Sequence, residues 1–204
     1  IPFEDFRALD LIGTQNDSAE AIYNPEKYLL YCDPFMGQFD NRVKSGDAAG
    51  YADCAARLSR YESHAEYGYL FRSLRALCAF LSVKADLGIR TRAAYLSGDK
   101  KAAKALCTDY DAALERLDAF YAAYEQQWMH ENKPQGFDVV DLRIGGQRQR
   151  LLHCRDRLLA YAEGRLDRIE ELEEPVLDCC CEEKADGQAT RAIFWHEIAS
   201  ANVI

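Results

Sequence analysis

The sequence lacks the features of a membrane protein or a nucleic-acid-binding protein. It contains no uninterrupted run of about 18 apolar residues, which a membrane-spanning helix needs, and its amino end lacks the basic and apolar regions of a signal peptide. Positive charge is scarce, because 25 Lys and Arg stand against 34 Asp and Glu, with a net charge of -9 and a pI near 5.0. Nucleic acids and anionic membranes recruit clustered basic residues, so we expect neither as a partner.

An initiating methionine is also missing, and we expect the chain to be a piece of a longer polypeptide. Its 204 residues are enough for one substantial core. An apolar fraction of 49% with 29% charged residues is typical of a soluble globular protein. We therefore predict a single domain over residues 1–204.

Sequence motifs of catalysis are missing as well. The chain has no G-x-S-x-G elbow, phosphate-binding loop, G-x-G-x-x-G turn or H-E-x-x-H pair. Its histidines (His64, His130, His153 and His196) are dispersed, and most carboxylates fall on helix faces that should meet water. We predict a non-catalytic chain that needs no cofactor and no metal.

Cysteine is plentiful, but its spacing does not indicate a metal or redox centre. Cys54, Cys78, Cys107 and Cys154 occur singly in helical patterns and no C-x-x-C pair exists. We interpret them as reduced, buried thiols of a cytoplasmic protein. The run Cys179 to Cys181 lacks the second ligand pair of a tetrahedral site, although a small redox or metal protein centred on it stays as an alternative.

What the sequence does contain is long helical periodicity. Apolar residues recur at helical spacing over residues 65–96, 100–129 and 139–162, with a turn at Gly98 and Asp99. These patterns predict an all-α fold, an antiparallel bundle of long helices.

The connection between the last two helices has the clearest local signals. Asn132, Pro134 and Gly136 end one helix, and Asp138 is predicted to cap the next. Phe137 and Leu142 have the spacing of a hydrophobic staple.

Gly145 and Gly146 lie inside the helix that follows, where glycine is unfavourable. We expect compensation by close packing against another helix, or by the approach of a ligand or partner chain.

Two aromatic segments lack regular periodicity. Residues 24–40, with Tyr31 and Phe35, predict an irregular segment, and the last fifteen residues, with Trp195 and His196, predict an extended tail. The first segment either packs on the core, or docks a neighbouring domain or lines a binding groove. We predict that both segments form a contact surface for a neighbouring domain or a second subunit. Stacking of Trp195 on a sugar ring is a further alternative.

Several motifs resemble one enzyme family. NPEKYLLYCDPFMGQFD and ENKPQGFDVVDLRIGGQRQRL are similar to the C-terminal helical region of bacterial family 20 glycoside hydrolases, the β-N-acetylhexosaminidases. The resemblance covers residues 24–172 and the tail sequence WHEIASAN. Its most specific residues are Asp33, Pro34, Gly37, Asp138, Asp141, Arg143, Gly145 and Gly146.

In that family a catalytic barrel precedes the helical region and carries an Asp-Glu dipeptide, which this chain lacks. The resemblance thus implies a non-catalytic C-terminal domain of a hexosaminidase, with the catalytic domain, a possible homodimer and, through the parent enzyme, carbohydrate as partners. The residues that we place near an interface or substrate are Tyr31, Phe35, Trp128, Arg143, Gly145, Gly146, Trp195 and His196. The alternative is an independent helical scaffold or dimerisation module without sugar chemistry.

Overall fold

A computed structural model describes residues 2–6 and 25–176 of the chain. In these residues the helices are α1 (Phe3–Phe6), α2 (Pro25–Tyr31), α3 (Asp47–Leu58), α4 (Gly68–Lys84), α5 (Leu87–Leu96), α6 (Lys100–Glu131) and α7 (Phe137–Ala162), joined by short 3₁₀ turns and with no strand. The prediction of an all-α fold is confirmed. None of the described helices has the length and apolar character to cross a membrane. The predicted tail and the run Cys179 to Cys181 lie outside the described residues.

The bundle is antiparallel and α6 is its central helix. Helix α3 packs on α4, α4 packs on α6, and α6 packs on α7. Between α4 and α6, Tyr69 bonds Glu131 whereas Arg116 reaches back to the carbonyl of Ala79, so sequence numbers rise on one helix as they fall on the other. The buried side of α6 carries Ala103, Leu106, Tyr110, Leu114 and Leu117, which belong to its predicted apolar stripe.

The single helix predicted over residues 65–96 is in fact two helices, α4 and α5, which break at residues 85–86. Contacts from the segment before α3 surround this break. The Lys84 ammonium is buried and donates a 2.6 Å hydrogen bond to the carbonyl of Cys32. Backbone of Pro34 lies so close to Gly88 that a Cβ there would be 2.9 Å from the Pro34 carbonyl oxygen. These are tertiary contacts, which helical periodicity alone does not reveal.

The aromatic segment is more regular and more buried than predicted. Its first part is helix α2, with Pro25 at the first helical position, where a proline is favourable. Phe35 and Phe39 are then 0% and 1% exposed, so they form part of the core. The prediction of a contact surface is therefore wrong for Phe35 and Phe39, for which the alternative, packing on the core, is correct.

The predicted connection between α6 and α7 exists, but its details differ. Gly136, with a φ of 95°, occupies the N-cap position of α7, and Asp138 lies inside the helix, where its carboxylate accepts a 3.1 Å bond from the Gly136 amide. Leu142 is 54% exposed, so it forms no staple with Phe137. The connection depends instead on the buried ring of Phe137, which packs on Tyr121, Tyr124 and Trp128.

Candidate functional site

The most constrained polar group of the bundle is the ion pair of Asp33 and Arg150. One Asp33 oxygen accepts from the backbone amides of Phe35 (2.8 Å) and Met36 (3.1 Å), which closes the turn after α2. The other oxygen accepts a 2.5 Å bond from Arg150, which also bonds Glu171 at 2.6 Å. Because the donors and acceptors of this cluster bind one another, it connects the turn after α2 to α7 and to Glu171.

Titration of this pair follows from the same contacts. Burial of Asp33 tends to raise the pKa of its carboxyl, but the hydrogen bond and positive charge of Arg150 outweigh burial and lower that pKa. Burial tends to lower the pKa of Arg150, and Asp33 raises it beyond its usual range. Both groups therefore remain charged at neutral pH.

An open groove lies between α2, α4, α6 and α7. Its volume is about 390 Å³, near the lower end of the range of about 300–1,000 Å³ that is usual for ligand pockets. The walls are apolar: they are formed by Leu30, Leu74, Leu77, Phe120, Val140 and Ile144. Polar groups from Glu26, Lys27, Tyr31, Ser73, Gln127 and Arg143 border it. We refer to this cavity as the α2–α7 groove.

Arg143 is the polar side chain that distinguishes this groove. It is half-buried, and in the described part of the chain its guanidinium has no carboxylate partner and its Nε has no acceptor. The other arginines of α7 do have carboxylate partners, namely Asp118 for Arg148, Asp33 for Arg150, Asp111 for Arg155 and Glu170 for Arg157. Burial raises the pKa of the Tyr31 hydroxyl to about 12. The positive charge of Arg143 acts in the opposite direction, because it tends to lower this pKa.

The structure separates the remaining candidates. It brings Tyr31 and Arg143 together in the groove, whereas Phe35 is in the core. Trp128 is half-buried where α6 ends, and its indole donates a 2.9 Å bond to the carbonyl of Lys133. Trp195 and His196 lie outside the described residues.

The two glycines of α7 are on its outer side. Gly145 is exposed and Gly146 is half-buried. A Cβ added to Gly145 would meet nothing within 4 Å. The expectation of close helix packing is therefore wrong for Gly145, and the approach of a partner remains as the prediction for it.

The connection between α6 and α7 marks one end of the bundle, which we call the hairpin end. Helix α4 begins there, since Tyr69 bonds Glu131 of α6 at 3.0 Å. Helix α1 lies there too, because its Asp5 accepts bonds from Tyr61 (2.5 Å) and Arg57 (2.9 Å), which follow or close α3.

Large apolar side chains remain exposed at the hairpin end. They are Tyr67, Met129, Val139 and Leu142, between 38% and 54% exposed, and we call them the hairpin-end side chains. The staple predicted from the sequence would instead have packed Leu142 against Phe137. Helical spacing could have predicted the exposure of Leu142. The buried residues of α7 recur at intervals of three, four and seven along one face, and Leu142 is on another face; the buried residues include Ile144, Leu151, Cys154 and Leu158.

Metal and thiol chemistry find no support in residues 2–6 and 25–176. No three His, Cys, Asp or Glu side chains in that part are placed to hold one metal ion. The described cysteines (Cys32, Cys54, Cys78, Cys107 and Cys154) form no disulfide and are buried, as predicted for the last four. Burial raises the pKa of Cys32 to about 12 and also raises that of Cys154, so both thiols stay protonated and unreactive.

Comparison with known families identifies a relationship that covers almost the whole chain. The family model described as the Glycoside Hydrolase 20C C-terminal domain matches residues 2–191. A search of curated proteins gives no match.

Proposed function

We propose a function from one premise, which is that the chain belongs to the glycoside hydrolase 20C C-terminal domain family. We infer that it is a non-catalytic helical domain that docks on a catalytic domain preceding it in the same polypeptide. The parent enzyme is proposed to be a β-N-acetylhexosaminidase that removes terminal N-acetylhexosamine residues from glycans. The absence of disulfides among the buried, described cysteines favours a reducing, cytoplasmic setting.

The observation that carries the docking proposal is the exposure of apolar groups at the hairpin end. The hairpin-end side chains lie at the same end as α1, through which a preceding domain would connect. Apolar side chains exposed together on a folded domain are typical of interaction sites. A preceding domain would therefore lie next to these exposed apolar side chains and could bury them.

The chemistry of the chain supports a non-catalytic role. Substrate-assisted hydrolysis of N-acetylhexosaminides needs a general acid beside a carboxylate that orients the acetamido group. This chain has no Asp-Glu dipeptide, and its buried Asp33 is engaged by Arg150. The catalytic carboxylates are thus assigned to the preceding domain.

A charge placed on the proposed interface tests this function. In the polypeptide that carries the preceding domain, the two docked domains should unfold in one joint transition in differential scanning calorimetry. Leu142→Asp should separate this into two transitions, one for each domain. Leu96→Asp is the matched control, because Leu96 is 65% exposed and ends α5, away from the hairpin end. Equal behaviour of the two variants contradicts the proposal.

A second copy of the chain is the competing occupant of this surface. Sedimentation of the chain alone distinguishes the two. A dimer that Leu142→Asp converts to a monomer, with domain coupling unchanged in the longer polypeptide, would assign the surface to dimerisation instead.

A further inference from the structure

We propose that the α2–α7 groove receives an acidic residue of the preceding domain and that Arg143 is its anchor. The inference rests on the proposed function, since it names a specific contact of the docked domain. It concerns the groove rather than the hairpin-end side chains, so each can fail without the other.

The electrostatic argument begins with Arg143. A guanidinium that is partly removed from water loses hydration, and a carboxylate restores that loss best because two N–H groups can bind its two oxygens. The other α7 arginines have such partners within the domain. Arg143, alone among them, has no carboxylate in the described part of the chain, and it faces a groove that is open to solvent.

Neighbouring charges leave room for one added anion. Helix α2 contributes one charge of each sign to the lining: Glu26, which opposes an anion, and Lys27, which attracts one. Ser73 and Gln127 bond each other, and Gln127 also donates to Glu131 at 3.2 Å. Arg143 therefore supplies the net positive charge of the groove.

Apolar walls define the rest of the ligand. Leu30, Leu77 and Phe120 line the groove and would surround an apolar group attached to the carboxylate. The chemistry thus describes an Asp or Glu next to an apolar side chain on the docked domain.

Position favours the preceding domain as the source of this residue. Val140 lines the groove, and Val139, the adjacent residue, is one of the hairpin-end side chains. The first turn of α7 thus borders both the groove and the exposed surface. A domain that covers Val139 would therefore reach the helix turn that also lines the groove.

The test uses 3-phenylpropionate as the probe and its amide as the uncharged control, with affinities measured by calorimetry. The chain alone should bind the acid about tenfold more tightly than the amide, which is the typical contribution of a charge-assisted hydrogen bond. The longer polypeptide should bind the acid at least about tenfold more weakly than the chain alone, because the groove is already occupied.

Arg143→Gln should abolish the preference of the chain for the acid, whereas Arg148→Gln should preserve it. Arg148 lies on the same helix but pairs with Asp118 away from the groove, so it is the matched control. Equal binding of the acid by the chain and by the longer polypeptide would show a groove that stays open, and overturns the inference. Absence of binding to the chain also overturns it. Neither result bears on the proposed function, which the Leu142 and Leu96 variants decide separately.

Discussion

Asp33 is a buried charged residue that connects two parts of the fold. It closes the turn after α2 through two backbone amides and joins that turn to α7 through Arg150. Asp33 is 6% exposed, and Lys84, Arg92 and Arg150 all bind the same segment of chain from three different helices. This polar cluster explains how residues without helical periodicity can occupy the core.

Asp33→Asn should destabilise the protein by about 3 kcal/mol at neutral pH, the lower end of the range for breaking a buried pair, because Glu171 still binds Arg150. The folded pKa of Asp33 is lowered, so its contribution is complete above the unfolded pKa of about 4 and disappears as the pH falls through the folded value. The stability difference between wild type and variant should therefore shrink in acid. Urea unfolding at several pH values measures it.

Asp118→Asn is the control for this prediction. Asp118 pairs with Arg148, but both side chains are about half exposed, at 52% and 47%. Solvent-exposed pairs contribute at most about 1 kcal/mol. A difference between wild type and Asp33→Asn that stayed constant down to strong acid would contradict the assigned ion pair.

Two glycine substitutions should have opposite effects on stability. Gly145→Ala should stabilise the chain by about 0.5–1 kcal/mol, as in an exposed helix interior, since a Cβ meets nothing there. Gly88→Ala should destabilise it by about 1–3 kcal/mol, the cost of overpacking, because its Cβ would press on the backbone of Pro34. Thermal unfolding of both variants checks the signs, and destabilisation by Gly145→Ala would show a contact that this structure lacks.

At the scale of elements, the connection between α6 and α7 rests on an aromatic cluster. Phe137 is 4% exposed, and its ring centre lies 5.7 Å from that of Trp128 and 5.8 Å from that of Tyr121. Aromatic pairs at such distances add to the stability that burial provides. The cluster, rather than a capping box, sets how α7 returns along α6.

Phe137→Ala should therefore cost about 3–5 kcal/mol, whereas Leu142→Ala should change stability by less than about 0.5 kcal/mol. Denaturant unfolding of the chain measures both. Similar losses of stability in the two variants would contradict this account. They would support the staple of Phe137 and Leu142 that was predicted from the sequence.

The helices illustrate what could be predicted from the sequence. Periodicity over residues 100–129 and 139–162 identified α6 and α7, because their apolar stripes continue for many turns. Periodicity did not predict the break at residues 85–86, because the residues on both sides of it are helical. The tertiary contacts of Pro34 and Cys32 reveal the break. Periodicity also did not decide between the core and an interface for Phe35, whose position depends on contacts from Arg92 and Arg150 on distant helices.

The candidate site was harder to predict than the fold. Arg143 and Tyr31 were identified as individual residues, but the groove that joins them needs four helices in register. The absence of a carboxylate beside Arg143 in the described residues is a property of the folded chain, which contains 34 acidic residues that could have provided one. Exposure of Leu142 depends likewise on the phase of a helix against its neighbours.

At the scale of the whole molecule, the two ends of the bundle differ. The hairpin end carries α1, most of the large exposed apolar side chains and, nearby, the α2–α7 groove. The turn at Gly98 and Asp99 lies away from it and exposes mainly polar groups. This asymmetry is expected of a domain that is covered on one side by the rest of its polypeptide.

Hydrogen exchange, measured by mass spectrometry on the chain alone and within the longer polypeptide, tests the central claim most directly. Backbone amides in residues 128–146 should exchange at least about tenfold more slowly when the preceding domain is present, because docking adds to the free energy of local opening. Amides in residues 94–104, around the turn at Gly98, should exchange at the same rate in both. Unchanged exchange in residues 128–146, or equal slowing at both ends, would contradict docking at the hairpin end.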